Sequence, residues 1–254
     1  MRYQHVARSA TRLALVHTLS RALPVYVVNE FPKSGGTWIA NLLSGASGIR
    51  FRDNRTPRLE KQIIKGHFFR RGGIRNCLVV WRDGRDAISS FYYHNYFKFS
   101  ESSHNHKRVD YMRAKYPFDD YDDIRANLPS FIGQIFERPI SPAYTWSQFV
   151  DRWSGYNDFV HVRYEDMRKD PQSELTRVVQ ELTGLRPELS LIESTIERFD
   201  IDRIKQQRSE HHQEGETYFV REGKLGGWSE VFSAEADELF RRYAQPQLEK
   251  LGYE

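Results

Sequence analysis

Val25-Tyr26-Val27-Val28-Asn29-Glu30-Phe31-Pro32-Lys33-Ser34-Gly35-Gly36-Thr37-Trp38 is the stretch whose reading decides the fold. Val25–Phe31 is a short β-branched run that predicts a buried strand, and Trp38–Leu43 starts a helical pattern. Phe31 to Trp38 is then a glycine-bearing strand-to-helix turn. Such a turn exposes consecutive backbone N–H groups and the positive end of a helix, which together form an anion socket. Lys33 adds a full charge, and Ser34 and Thr37 add hydroxyl donors. In the common nucleotide-triphosphate loop the lysine follows the glycines. Here Lys33 precedes Gly35 and Gly36, so the turn suits one phosphate with an adjacent transferable group.

Outward from this turn, strands and helices alternate. Ile63-Ile64-Lys65 and Leu78-Val79-Val80-Trp81 predict buried strands, and Phe159–Arg163 a further one. Helices are expected at Asp86–Phe97, Tyr144–Trp153, Pro171–Thr183, Glu188–Phe199 and Ala234–Leu251, the last bent at Pro246. This alternation predicts an α/β fold: three layers, P-loop-like, with a central parallel sheet flanked by helices. Residues 1–254 read as a single domain. Residues 98–130 and 205–220 look irregular and read as lid or acceptor loops. Residues 1–23 read as a basic amphipathic helix that packs on the domain or touches anionic lipid.

The 254 residues are 39% hydrophobic and 14% aromatic, enough for a sizeable core. A formal charge of +4 is too small a surplus to point to nucleic acid and fits a site for a small anion. No apolar run approaches the ~20 residues of a membrane span. Cys77 is the one cysteine, lies in an apolar run and reads as a buried thiol; a reducing, cytoplasmic setting is expected. His104, His106, His211 and His212 lack metal-ligand spacing, so no metal site is expected.

Two further segments follow the turn, one that can bind an anion and one with a lysine and a histidine. In Trp81-Arg82-Asp83-Gly84-Arg85-Asp86-Ala87-Ile88-Ser89-Ser90, an arginine at a strand end and a serine in the next helix can converge on one phosphate. Arg85 reads as a solvated partner. Lys65-Gly66-His67 ends a strand; residues i and i+2 share a face, so Lys65 and His67 point together.

Pro32-Lys33-Ser34-Gly35-Gly36-Thr37-Trp38 resembles the Pro-Lys-Ser-Gly-Thr-Thr-Trp donor loop of the cytosolic-type sulfotransferases, with Gly36 in place of the usual threonine. Lys65-Gly66-His67 resembles that family's Lys-Thr-His, and Tyr164-Glu165-Asp166-Met167 its Tyr-Glu-Asp-Met. Arg221-Glu222-Gly223 with Gly226-Gly227-Trp228 resembles its carboxyl-terminal clamp, with Glu222 and Gly227 departing from the usual basic residue and Asp. The resemblance implies that Lys33, Ser34, Gly35, Gly36, Thr37, Trp38, Arg82, Ser90, Tyr164, Ile201, Arg221 and Gly223 hold the donor, 3′-phosphoadenosine 5′-phosphosulfate (PAPS). Ser89 is the register-slipped alternative to Ser90. It implies His67 as general base, Lys33 beside the leaving oxygen and Lys65 on the sulfuryl group, with PAP as product and no metal required. Phe68, Tyr92 and His94 are candidates to line the acceptor pocket, which would take a small molecule, glycan or lipid. Of the family's dimer segment, Ser229 to Glu238 keeps only the glutamate, leaving oligomeric state open. Two rivals stand beside this reading: a small-molecule P-loop kinase, and a catalytically silent nucleotide-binding protein of the same fold.

Overall fold

The computed structural model describes residues 11–18, 24–52, 58–98, 103–210 and 223–254. The chain divides into two compact units, one of residues 1–82 and 152–200, the other of residues 83–151 and 201–254.

The first unit holds a five-stranded sheet: β1 (Val25–Glu30), β2 (Arg50–Phe51), β3 (Gln62–Gly66), β4 (Asn76–Trp81) and β5 (Val160–Arg163). The order is β2-β3-β1-β4-β5 and every pairing is parallel. β1 lies in the middle and all six of its residues are buried, which is why it reads as a continuous apolar run. Residues 11–17 form a helix, α1, and Leu15 and Val16 on it are buried. His17 meets the Phe68 ring edge-on at 5.5 Å, so this part of the basic helix packs on the unit. Apart from Thr18, the rest of residues 1–23 lies outside the described residues.

Helix α2 (Gly36–Ser47) leaves the turn after β1 and packs on β1 and β3. It stops at Gly48, whose φ of 68° is the left-handed conformation that ends helices. Two later helices of this unit are α7 (Tyr164–Lys169) and α8 (Pro171–Thr183); α8 lies against α2, β4 and β5. Its bounds match the sequence expectation because the signals are complete. Asp170 caps the Ser173 N–H, Pro171 opens the helix and Gly184 closes it with φ 71°. α9 (Leu189–Arg198) follows. Cys77 is buried on β4, and burial pushes its thiol pKa up, so it stays protonated.

In the second unit, α3 (Gly84–Tyr96) starts at Asp83, whose carboxylate accepts the Arg85 N–H. The stretch 98–130, expected to be irregular, is largely helical: α4 (Ser103–Lys115) and α5 (Ile124–Glu137) occupy it. α6 (Trp146–Trp153) crosses the boundary between the units. Residues 205–210, expected in a loop, belong to α10 (Ile201–Glu210), and residues 211–220 lie outside the described residues. α11 (Trp228–Val231) and α12 (Ala234–Lys250) complete the unit, and α12 runs on through Pro246. Among the described residues no helix is long and apolar enough to cross a membrane.

Candidate active site

The turn after β1 is held in an unusual backbone shape. Lys33 has φ 73° and Gly35 has φ 91°. Glycine takes that conformation freely; for lysine it costs about 1–2 kcal/mol. Arg82 supports the strained residue, donating from Nη1 to the Lys33 carbonyl at 2.9 Å. Its guanidinium also lies 4.6 Å from the centre of the Tyr164 ring. Tyr164 in turn packs on Gly35 so closely that a Cβ there would come within 2.7 Å of Cε2. Arg82 and Tyr164, both expected at the donor, are thus brought directly onto the loop. Ser34 is 1% exposed, and its Oγ has no hydrogen-bond partner among the described residues. Such a buried hydroxyl is costly unless something supplies its partner, as a bound anion would.

Glu30 is a buried residue of the candidate site that sequence reasoning missed. It ends β1, is 2% exposed, and its carboxylate accepts the Gly36 N–H at 2.5 Å and the Lys65 Nζ at 3.1 Å. Burial opposes the charge, but Lys65, His67 and the Gly36 N–H outweigh it and hold the carboxyl below its ordinary range. A Cβ on Gly36 would lie 2.6 Å from the Glu30 carboxyl carbon, so glycine at 36 and glutamate at 30 go together. The only signal in the sequence is a carboxylate closing an apolar strand six residues before that glycine. Gly66 has a similar cause, since a Cβ there would come within 2.6 Å of the Phe68 ring.

Lys65 and His67 converge as the strand alternation predicts. His67 Nδ1 lies 3.0 Å from the Glu30 carbonyl oxygen. A carbonyl only accepts, so Nδ1 carries the proton and the ring's lone pair is on Nε2. The side chain keeps an exposed face, yet the protein around the imidazole disfavours its charged form. Lys65 and Lys33 add to this and Glu30 opposes it, with the net result that the pKa is lowered to about 4. The ring is therefore neutral throughout the physiological range.

Trp38 lies on the first turns of α2. Its indole N–H donates to the Phe199 carbonyl at 2.8 Å, and its ring meets Tyr164 edge-on at 5.6 Å. Thr37 is partly exposed at the same helix start.

The second unit holds Ser90, Tyr92, His94, Ile201 and Gly223. Ser89, the register-slipped alternative, donates its hydroxyl to the Arg85 carbonyl at 2.8 Å, while Ser90 is partly exposed. Ile201 is 1% exposed at the head of α10. Gly223 has φ 60°, and Arg221 and Glu222 lie outside the described residues. Tyr92 is a core residue rather than a pocket wall: it is fully buried among Tyr96, Phe118 and Phe131. Its hydroxyl donates to the Tyr121 carbonyl, and burial pushes its pKa up to about 12. His94 stacks on Phe91 at 6.2 Å. In the first unit Phe68 is likewise mostly buried, its backbone N–H and carbonyl both bonded to the Asn29 amide.

Arg85 is not solvated. It is 2% exposed, makes a two-pronged pair with Asp83 at 3.0 and 2.7 Å, and lies 3.7 Å from the Trp228 ring centre. Next to it, Asp86 accepts the Gly226 and Trp228 N–H groups at 3.0 and 2.8 Å. These bonds tie the Gly-Gly-Trp segment to the start of α3. Asp86→Ala is expected to cost about 2–3 kcal/mol, since it leaves two backbone donors without a charged acceptor. Thermal unfolding checks this, and a change under ~0.5 kcal/mol would remove the tie. Lys224 pairs with Glu230.

The sulfotransferase domain profile matches residues 74–252, more than half of the chain. The chain belongs to the sulfotransferase domain family. Sulfuryl transfer is that family's chemistry. Residues 31–67, with the loop and His67, precede the matched stretch of this sulfotransferase. Similar solved structures span almost the whole chain. Mouse sulfotransferase SULT7A1 complexed with PAP superposes with a TM-score of 0.68 at 15% identity, covering 95% of this chain and 89% of that one. Retinol dehydratase in complex with androsterone and inactive cofactor PAP gives 0.59, at 15% identity over 94% and 85%. Retinol dehydratase with retinol and PAP gives 0.60, at 15% identity over 95% and 86%. At this identity the likeness establishes the fold. No curated protein matches the chain.

Proposed function

We propose that the protein transfers a sulfuryl group from PAPS to a hydroxyl or amine of a small molecule, glycan or lipid, with His67 as general base. The observation that carries this reading is the His67 ring, fixed through Nδ1 on the Glu30 carbonyl beside Lys65, with its lone pair on Nε2. What supports a donor at this loop is the buried Ser34 hydroxyl, without a partner among the described residues, between the left-handed Lys33 and Gly35. Lys33, Ser34, Gly35, Gly36, Thr37 and Trp38 would hold its 5′ end, with Tyr164 against the base. Arg82, Ser90, Arg221 and Gly223 would hold its 3′-phosphate, and Ile201 would add to the adenine side.

When bound, the donor supplies the sulfuryl group and a phosphate leaving group. His67 takes the acceptor's proton at Nε2 during attack. Lys33 would offset the negative charge that grows on the leaving group, where a fixed cation is most effective. Lys65 orients a non-bridging sulfuryl oxygen, and the remainder is in-line alignment.

Calorimetry with 3′,5′-adenosine bisphosphate against ATP, followed by turnover of PAPS with phenols, sterols, sugars and amines, tests the reading. The bisphosphate is expected to bind at least ~100-fold more tightly than ATP. Preference for ATP with magnesium would overturn it in favour of a kinase, and binding without turnover in favour of a silent protein.

The acid side of the pH profile gives a sharper check. Because the imidazole pKa is lowered, the basic form persists as pH falls, and activity is lost only as His67 finally protonates. The acid limb of kcat/KM, which reports the free enzyme, is expected near 4 rather than near the ordinary ~6.5. A limb between 6 and 7 would mean that solvent at the exposed face of the ring cancels the lowering, and the loss of turnover in His67→Ala would then decide the base.

A further inference from the structure

Resting on the sulfuryl-transfer reading, we infer that Glu30 is a positioning residue of the reaction, one anchor at the end of β1 that fixes the base, its neighbouring lysine and the head of the loop helix. Three bonds carry this. The backbone carbonyl of Glu30 takes the His67 Nδ1–H at 3.0 Å. One carboxylate oxygen takes Lys65 Nζ at 3.1 Å, and the other takes the first N–H of α2 at Gly36. Asn29, the preceding residue, holds Phe68 through both its backbone N–H, at 2.7 Å, and its carbonyl, at 3.0 Å. Residue 67 is thus bracketed by two consecutive residues of the central strand.

A carboxylate this deeply buried is costly unless paired, and an apolar residue would serve the core better. Its partners explain why it is there: both belong to the proposed transfer machinery. The Lys65 ammonium, 15% exposed as a side chain, is held in one place by Glu30 rather than sweeping through its rotamers. The sequence carries the matching change, because the carboxylate fills the space that a side chain at Gly36 would need. Glu30 touches no reacting atom; it acts through Lys65, Gly36 and His67.

The groups whose charge acts on the His67 ring are Lys65, Glu30 and Lys33. Glu30→Gln keeps the shape but has one acceptor oxygen and no charge, so it satisfies Lys65 or the Gly36 N–H but not both. The test is a titration of the His67 ring nitrogens by NMR in the full-length parent and in Glu30→Gln, assigned with His67→Gln, together with kcat for both. The parent is expected to show the Nδ1–H tautomer at neutral pH. Glu30→Gln is expected to titrate at least ~0.5 units lower, because the one opposing charge is gone, and to lose ~10–100-fold in kcat. An unmoved titration with kcat within ~3-fold of the parent would overturn the assignment. If Glu30→Gln fails to fold, the parent alone decides, since an Nε2–H tautomer is incompatible with the Glu30 anchor. Failure of the sulfuryl-transfer reading is seen separately, as parent protein that shows the Nδ1–H tautomer but does not turn over PAPS.

Discussion

His67→Ala is expected to lower kcat by ~10²–10⁴-fold, about 3–5 kcal/mol of transition-state stabilisation. The magnitude follows from what the ring supplies. Without it the acceptor proton must go to water, which is neither positioned nor as basic. The substitution leaves the fold intact for a structural reason: residue 67 lies just past the end of β3 and keeps an exposed face. It also leaves the loop of residues 31–38 untouched, so bisphosphate affinity is expected to stay within ~3-fold of the parent. Rapid-quench or continuous turnover assays at saturating PAPS, with calorimetry in parallel, give both numbers. A variant within ~3-fold of the parent in kcat would remove His67 from the role. A parallel fall in bisphosphate binding would instead make it a binding residue.

Gly35→Ala is expected to cost more than any other single methyl group in the loop. Two penalties add at this position. The backbone φ of 91° is strained for any residue with a Cβ, by about 1–3 kcal/mol. The new methyl group also lands inside the Tyr164 ring, and Tyr164 is only 3% exposed with Arg82 across its face. Overpacking of this kind costs a further ~1–3 kcal/mol. The loop has to deform, taking the Lys33 carbonyl off Arg82 and misaligning the socket. Bisphosphate affinity is expected to fall by at least ~100-fold and stability by about 2–6 kcal/mol, read by calorimetry and by urea unfolding. Gly35→Ala combined with Tyr164→Ala relieves the clash but not the backbone strain, so it should recover part of the lost stability and little of the binding. A single variant that binds like the parent would mean that the left-handed turn is not what the ligand needs.

Much of this protein is written locally. β1 and β4 were legible because strands buried on both faces leave apolar runs with nothing else to explain them. α8 was legible to the residue because Asp170, Pro171 and Gly184 supply its cap, first turn and stop. α4 was not, because its inward stripe is Asn105, Val109 and Met112, with a polar residue at the first position and charges elsewhere. α5 was hidden by Pro129, which sits in its first two turns and reads as a breaker. β2 is two residues long, too short to leave a pattern.

The same division runs through the candidate site. The local sequence around Lys33, Gly35, Lys65 and His67 determines the strand-to-helix turn and the strand end that carries the imidazole, because a strand-to-helix turn and a period-two strand fix backbone direction within a few residues. Which arginine is buried, why residues 36 and 66 must be glycine, and what holds the imidazole depend on atoms that meet only after folding. Arg85 is read as buried only once Trp228 lies over it, and Gly36 is explained only by a carboxylate packed beneath the loop. Local sequence specifies dihedral preferences, whereas burial and pairing are set by contacts across 35 to 142 residues of chain, which no short pattern encodes.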